Sequence, residues 1–147
     1  MGQIDQIIYN RILWTAVFSW FIAQFIKIVI ELIRTRKLNL FLLFSSGGMP
    51  SSHTAFVVAA ATAVGIKEGL DSTFFAIAAV IAIIVMYDAA GVRRAAGKQA
   101  EVLNRLISTL DDPDVLIDQK LKEVLGHNPL QVIAGAVLGI IVGVAVG

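Results

Sequence analysis

The stretch Ile12–Ile33, ILWTAVFSWFIAQFIKIVIELI, carries only two charged side chains, Lys27 and Glu31. A helix needs about 20 mostly apolar residues to cross the ~30 Å hydrocarbon core of a bilayer, and this stretch has that length. It is too long, and too polar at Gln24, Lys27 and Glu31, for a cleaved signal peptide, and no small-residue cleavage site follows it. Working outward, apolar runs recur from Ser52 to Leu70, from Ser72 to Tyr87, and from Pro129 to Gly147. The pattern predicts a single membrane domain over residues 1–147 with spans at 12–33, 52–70, 72–87 and 129–147. Composition points the same way: 57% of the residues are hydrophobic and 16% charged, with a mean hydropathy of +0.80. Such a chain is not disordered. Twelve basic against eleven acidic residues, a net charge of +1, leave no excess for nucleic acid. No cysteine is present, which excludes disulfides, thiolate metal sites and a cysteine nucleophile.

Two connections hold most of the polar residues. Residues 34–50 include an apolar patch, Leu38–Phe44, too short to cross and suited to a re-entrant or interfacial turn. Residues 87–126 contain Val92, Ala95, Ala96, Val102, Leu103, Leu106 and Leu110 at helical spacing, which reads as an amphipathic helix. Asp112-Pro113 resembles a second helix start and Gly126 its stop, so an interfacial helical insert is expected over 92–125. The fold class is therefore all-α, a polytopic membrane helix bundle of about four transmembrane helices plus amphipathic interfacial helices. With four spans, both polar connections share one side. Their cations (Arg34, Arg36, Lys37, Arg93, Arg94, Lys98, Arg105) place that side in the cytoplasm of a multi-pass cell-membrane protein by the positive-inside rule.

The polar residues on this side gather into a pattern. Lys27 and Arg34 are two helical turns apart on one face, with ~10 Å of rise between them. A lysine that deep in the apolar layer needs water, a counter-charge or a bound anion; alternatively it pairs with Glu31, four residues on, and snorkels. Ser45-Ser46-Gly47-Gly48-Met49-Pro50-Ser51-Ser52-His53-Thr54 opens the second span. Glycines allow close backbone approach, a serine can cap, and the first amides of the helix then face an anion of phosphate type. His53, just inside, can protonate a leaving oxygen; the bland reading is a capped turn with an incidental histidine. His127 sits in Gly126-His127-Asn128-Pro129-Leu130-Gln131, where Asn128 and Pro129 resemble a helix cap and first residue and Gln131 can orient the imidazole. Gly135, Gly139 and Gly143 form a small-residue ridge for close helix packing. Asp88, Arg93 and Arg94 close the third span, either as a solvated boundary or as part of an anion-handling cluster.

Together these residues resemble the membrane-bound type 2 phosphatidic acid phosphatases, whose superfamily includes the vanadium haloperoxidases. That family carries K-x6-R-P, then P-S-G-H, then S-R-x5-H-x3-D. Lys27 through Arg34 fits the first spacing, with Thr35 in place of proline, and Pro50-Ser51-Ser52-His53 the second, with Ser52 in place of glycine. His127-Asn128-Pro129-Leu130-Gln131 resembles the third, with Gln131 where aspartate is usual. The arginine expected at position 121 is Leu121, so Arg93 or Arg94 is its substitute. The combination of G-G-M-P-S-S-H, Y-D-x-x-G-V-R-R and G-H-x-P-x-Q-V is similar to the divergent branch of the superfamily.

The resemblance implies a hydrolase that needs no metal and no cofactor and works through a phosphohistidine sensitive to vanadate. By position, His127 attacks phosphorus and His53 protonates the departing alkoxide. Lys27, Arg34, Arg93 or Arg94, and the amides near Ser51 and Ser52 hold the phosphoryl oxygens. Gln131, or Asp88 from the third span, takes the place of the missing carboxylate. The substrate expected is a lipid phosphate (phosphatidic acid, phosphatidylglycerol phosphate or polyprenyl diphosphate), met among membrane lipids. A homodimer through the glycine ridge or a neighbouring face is expected. Two rival readings are a non-catalytic phosphate-lipid binder or scaffold, and a transporter subunit using Lys27, Gln24 and Glu31 as an ion path.

Overall fold

The computed structural model describes residues 2–39, 48–109 and 128–147. The rest of the 34–50 connection, the second amphipathic helix expected after Asp112, and His127 lie outside the described residues. Within them the chain forms six helices: α1 (Gln3–Ile8), α2 (Arg11–Thr35), α3 (Ser52–Glu68), α4 (Thr73–Ala90), α5 (Val92–Thr109) and α6 (Pro129–Val146). No strand occurs among the described residues.

The four bundle helices α2, α3, α4 and α6 each start at a side-chain cap. Asn10 accepts from the Leu13 amide, Ser51 from Thr54, Ser72 from Phe75 and Asn128 from Leu130. Each cap satisfies an amide that the helix ladder leaves over. Asn128 is followed by Pro129 at the first helical position, where its missing N–H costs nothing.

Helices α2, α4 and Pro129–Val146 are long and apolar enough to cross a bilayer, α4 running on into α5 as Thr73–Ile107. The remaining span expected from the sequence is α3, whose 17 residues reach only about 25 Å. It is the central helix, packed on α2, α4 and α6, so little of it needs to face lipid.

The burial pattern is that of a membrane bundle. The largest fully buried side chains are Thr15, Thr54, Ser19, Ser51 and Ser52, while Phe21, Phe25, Phe74, Ile83, Ile84 and Ile141 are exposed. A water-soluble core has the reverse arrangement. In lipid, large apolar side chains gain nothing by turning inward, and helices associate where small residues let backbones approach.

The closest approach is between α3 and α6. A Cβ on Gly135 would lie 2.5 Å from the Ser51 carbonyl oxygen, and one on Gly139 2.8 Å from that of Ala55. Gly143 faces Thr62 in the same way. The glycine ridge is thus buried within one chain. It is not the surface for pairing two copies that its spacing also permitted.

Hydrogen bonds fix the directions of the helices. Ser19 Oγ donates to the Ala55 carbonyl at 3.0 Å between α2 and α3. At the far end, Arg11 donates to the carbonyls of Val146 and Gly147, each at 3.2 Å. The ends of α2 and α4 and the starts of α3, α5 and α6 therefore share one side of the bundle.

Candidate functional site

The starts of α3 and α6 are joined directly. The Ser51 amide donates to the Gln131 carbonyl at 2.9 Å, one turn into α6. Two sequence segments some eighty residues apart thereby meet through backbone, supported below by the glycine contacts.

Ser51 is spent on this architecture. Its hydroxyl accepts from the Thr54 amide at 3.4 Å and from the Thr54 hydroxyl at 3.0 Å, and its own N–H is taken by Gln131. It is a fully buried cap, and its amide is not a donor for a phosphate oxygen. The first amides of α3 lie one and two residues further on, at Ser52 and His53, where no carbonyl of the helix itself can reach them.

Lys27 meets this start from α2. Only 3% of it is exposed, and its Nζ donates to Ser52 Oγ at 3.2 Å. Side chains on a helix lean toward its N-terminus, which carries the ammonium from late α2 toward the α3 start. A Cβ on Gly48, which stands at φ +88°, would come within van der Waals range of the lysine stem, 3.6 Å from its Cδ. The ion pair with Glu31 that the spacing allowed does not form; among the described residues no carboxylate reaches the ammonium. A buried ammonium with one neutral partner, set at the positive end of a helix, is an arrangement that a bound anion completes.

His53 is exposed and Asp88 half-buried, and both line one cavity of about 620 Å³. The rest of its wall is Val17 and Trp20 from α2, Phe56 and Val57 from α3, and Ile84, Val85 and Ala89 from α4. Helices α2 and α4 each pack on α3 but scarcely on one another. The cavity is therefore an apolar slot between them, backed by α3, with the histidine and the carboxylate in its wall. Sequence reasoning missed this lining, since apolar residues within spans carry no mark of which space they face.

The other residues singled out by sequence fall as follows. Arg34 is exposed at the end of α2. Arg93 and Arg94 occupy the first turn of α5, just past Asp88; their side chains are outside the described set. His127 lies outside it too, immediately before the Asn128 cap in sequence. The Gln131 side chain has a structural task, because its Oε1 accepts from the Asn128 amide at 2.9 Å and closes a capping box.

Comparison with known proteins agrees with these motifs. Residues 8–142 match the model of the divergent PAP2 family, so the chain belongs to that family. It is 46% identical over 130 residues to the uncharacterized membrane protein YuiD of Bacillus subtilis (strain 168), covering 81% of this chain and 82% of that one. No solved structure gives a significant match. The chain is accordingly a PAP2-like membrane protein built as an all-helical bundle.

Proposed function

We propose that this member of the divergent PAP2 family hydrolyses a lipid phosphate, a phosphomonoester or a diphosphate, at the start of α3. The observation that carries the reading is the buried Lys27 ammonium, held by Ser52 and, among the described residues, met by no carboxylate. Its position at the start of α3 suits a phosphoryl group, whose transition state spreads negative charge over three equatorial oxygens. The apolar slot beside His53 suits a tail, which favours a lipid over a water-soluble ester.

In this mechanism a neutral nitrogen of His127 attacks phosphorus and the P–O bond to the lipid breaks. His53 transfers its proton to the departing alkoxide. Water then attacks the phosphohistidine, His53 takes a proton from it, and phosphate leaves. Lys27, Arg34 and Arg93 or Arg94 hold the phosphoryl oxygens, and Asp88 supplies negative charge to the histidine machinery. The site faces the cytoplasm, where the cationic connections lie. Phosphatidic acid, phosphatidylglycerol phosphate and polyprenyl diphosphate are the substrates to try.

The test uses purified protein in detergent with no added metal. Phosphate release from one of these lipids, blocked by vanadate and lost in His127→Ala, supports the proposal. One observation favours a second reading, a binder that retains the anion site without turnover: the residue standing where the type 2 phosphatidic acid phosphatases carry aspartate is a capping glutamine. Vanadate or lipid-phosphate binding with no phosphate release across the panel would establish that alternative.

A further inference from the structure

We propose that Ser52 is a positioning residue for Lys27, its hydroxyl holding the ammonium at the first turn of α3 for delivery to an anionic phosphoryl group. The inference rests on the functional reading above and assigns a task to the residue by which this chain departs from P-S-G-H. An ammonium has donors only, so in the 3.2 Å contact Ser52 Oγ is the acceptor. Both residues are almost wholly buried, at 3% and 1% exposed, and no other acceptor among the described residues takes a bond from Nζ.

Glycine at position 52 would leave this lysine with no partner before an anion binds. Serine satisfies one N–H and leaves two for the ligand. It also fixes where those two point, because the ammonium is tied to the α3 start. Since the oxygen lone pair faces Lys27, the serine's own proton is directed away from the ammonium. The residue thus reduces the cost of keeping an ammonium buried in the resting state and orders it in advance.

The experiment compares wild type with Ser52→Ala, Ser52→Gly and Ser52→Thr, as full-length protein in detergent. It reads orthovanadate affinity, the acetylation rate of Lys27 by mass spectrometry, and turnover of phosphatidic acid. Without that hold the lysine side chain must be ordered on binding, which predicts about tenfold weaker vanadate binding in Ser52→Ala and Ser52→Gly. KM rises by a similar factor with kcat changed by less than about twofold, and Lys27 is acetylated faster. Ser52→Thr, which keeps the hydroxyl, restores all three. Unchanged vanadate affinity and unchanged Lys27 reactivity in Ser52→Ala would overturn the proposal, as would a threonine variant that behaves like alanine. If wild type binds vanadate in a Ser52-dependent way but releases no phosphate, the hydrolase reading falls and the lysine hold stands. If Ser52→Ala turns over lipid phosphate with wild-type KM, the reverse is true.

Discussion

Replacing Lys27 with methionine should raise thermal stability and abolish function together. The side chains are similar in length, so packing against α3 is largely conserved. What changes is the ammonium, 3% exposed and, among the described residues, bonded only to Ser52 Oγ. Taking an ion of this size out of water has an effective cost of several kcal/mol in real proteins. The single hydrogen bond to it returns about 1.5–3 kcal/mol. The imbalance predicts a net stabilisation of roughly 1–3 kcal/mol for Lys27→Met, or about 3–10 °C in Tm for a chain of this size. Adding Ser52→Ala removes the partner that would otherwise be left buried without its donor, and should raise Tm slightly further. Turnover should drop by about 10²–10³, the usual loss of one oxyanion donor. Melting followed by the fluorescence of Trp14 and Trp20, with phosphate release on the same samples, makes the comparison. A lysine serving only to hold α2 on α3 would give the opposite sign. A lower Tm in Lys27→Met, or wild-type turnover with the lysine gone, refutes the reasoning.

Other outcomes follow from the same geometry. Gly139→Leu places carbon where α3 backbone already lies, 2.8 Å from the Ala55 oxygen at Cβ alone, and should destabilise by about 1–3 kcal/mol in a detergent melt. Gln131→Glu keeps the capping box and should retain stability, whereas Gln131→Ala should lose ~1 kcal/mol, seen as a lower Tm. Ile84→Trp fills the slot, so kcat/KM on a long-chain lipid phosphate should drop at least tenfold relative to a short water-soluble phosphomonoester. Asp88→Asn should reduce turnover while leaving vanadate binding near wild type, and wild-type kinetics in that variant would remove Asp88 from the machinery.

Much of the molecule was legible before any coordinates. Apolar runs of bilayer length announce the helices, and Asn128-Pro129 announces where α6 begins, because caps and proline act through local backbone chemistry. Gly135, Gly139 and Gly143 announce a close contact by their spacing alone. The gathering of Lys27, the Pro50–His53 stretch and His127 into one family pattern is also written in the chain.

Which surfaces meet is a different matter. The ridge could have faced a second copy; the fold turns it onto α3, and that contact brings the starts of α3 and α6 together. Lys27 had Glu31 within reach along its own helix, and tertiary packing set it on Ser52 instead. The slot between α2 and α4 has no sequence signature, because in a bilayer Val17 or Ile84 is equally at ease against lipid, another helix or a bound tail. Periodicity reports which residues share a face of a helix, and only the assembled bundle decides what that face meets.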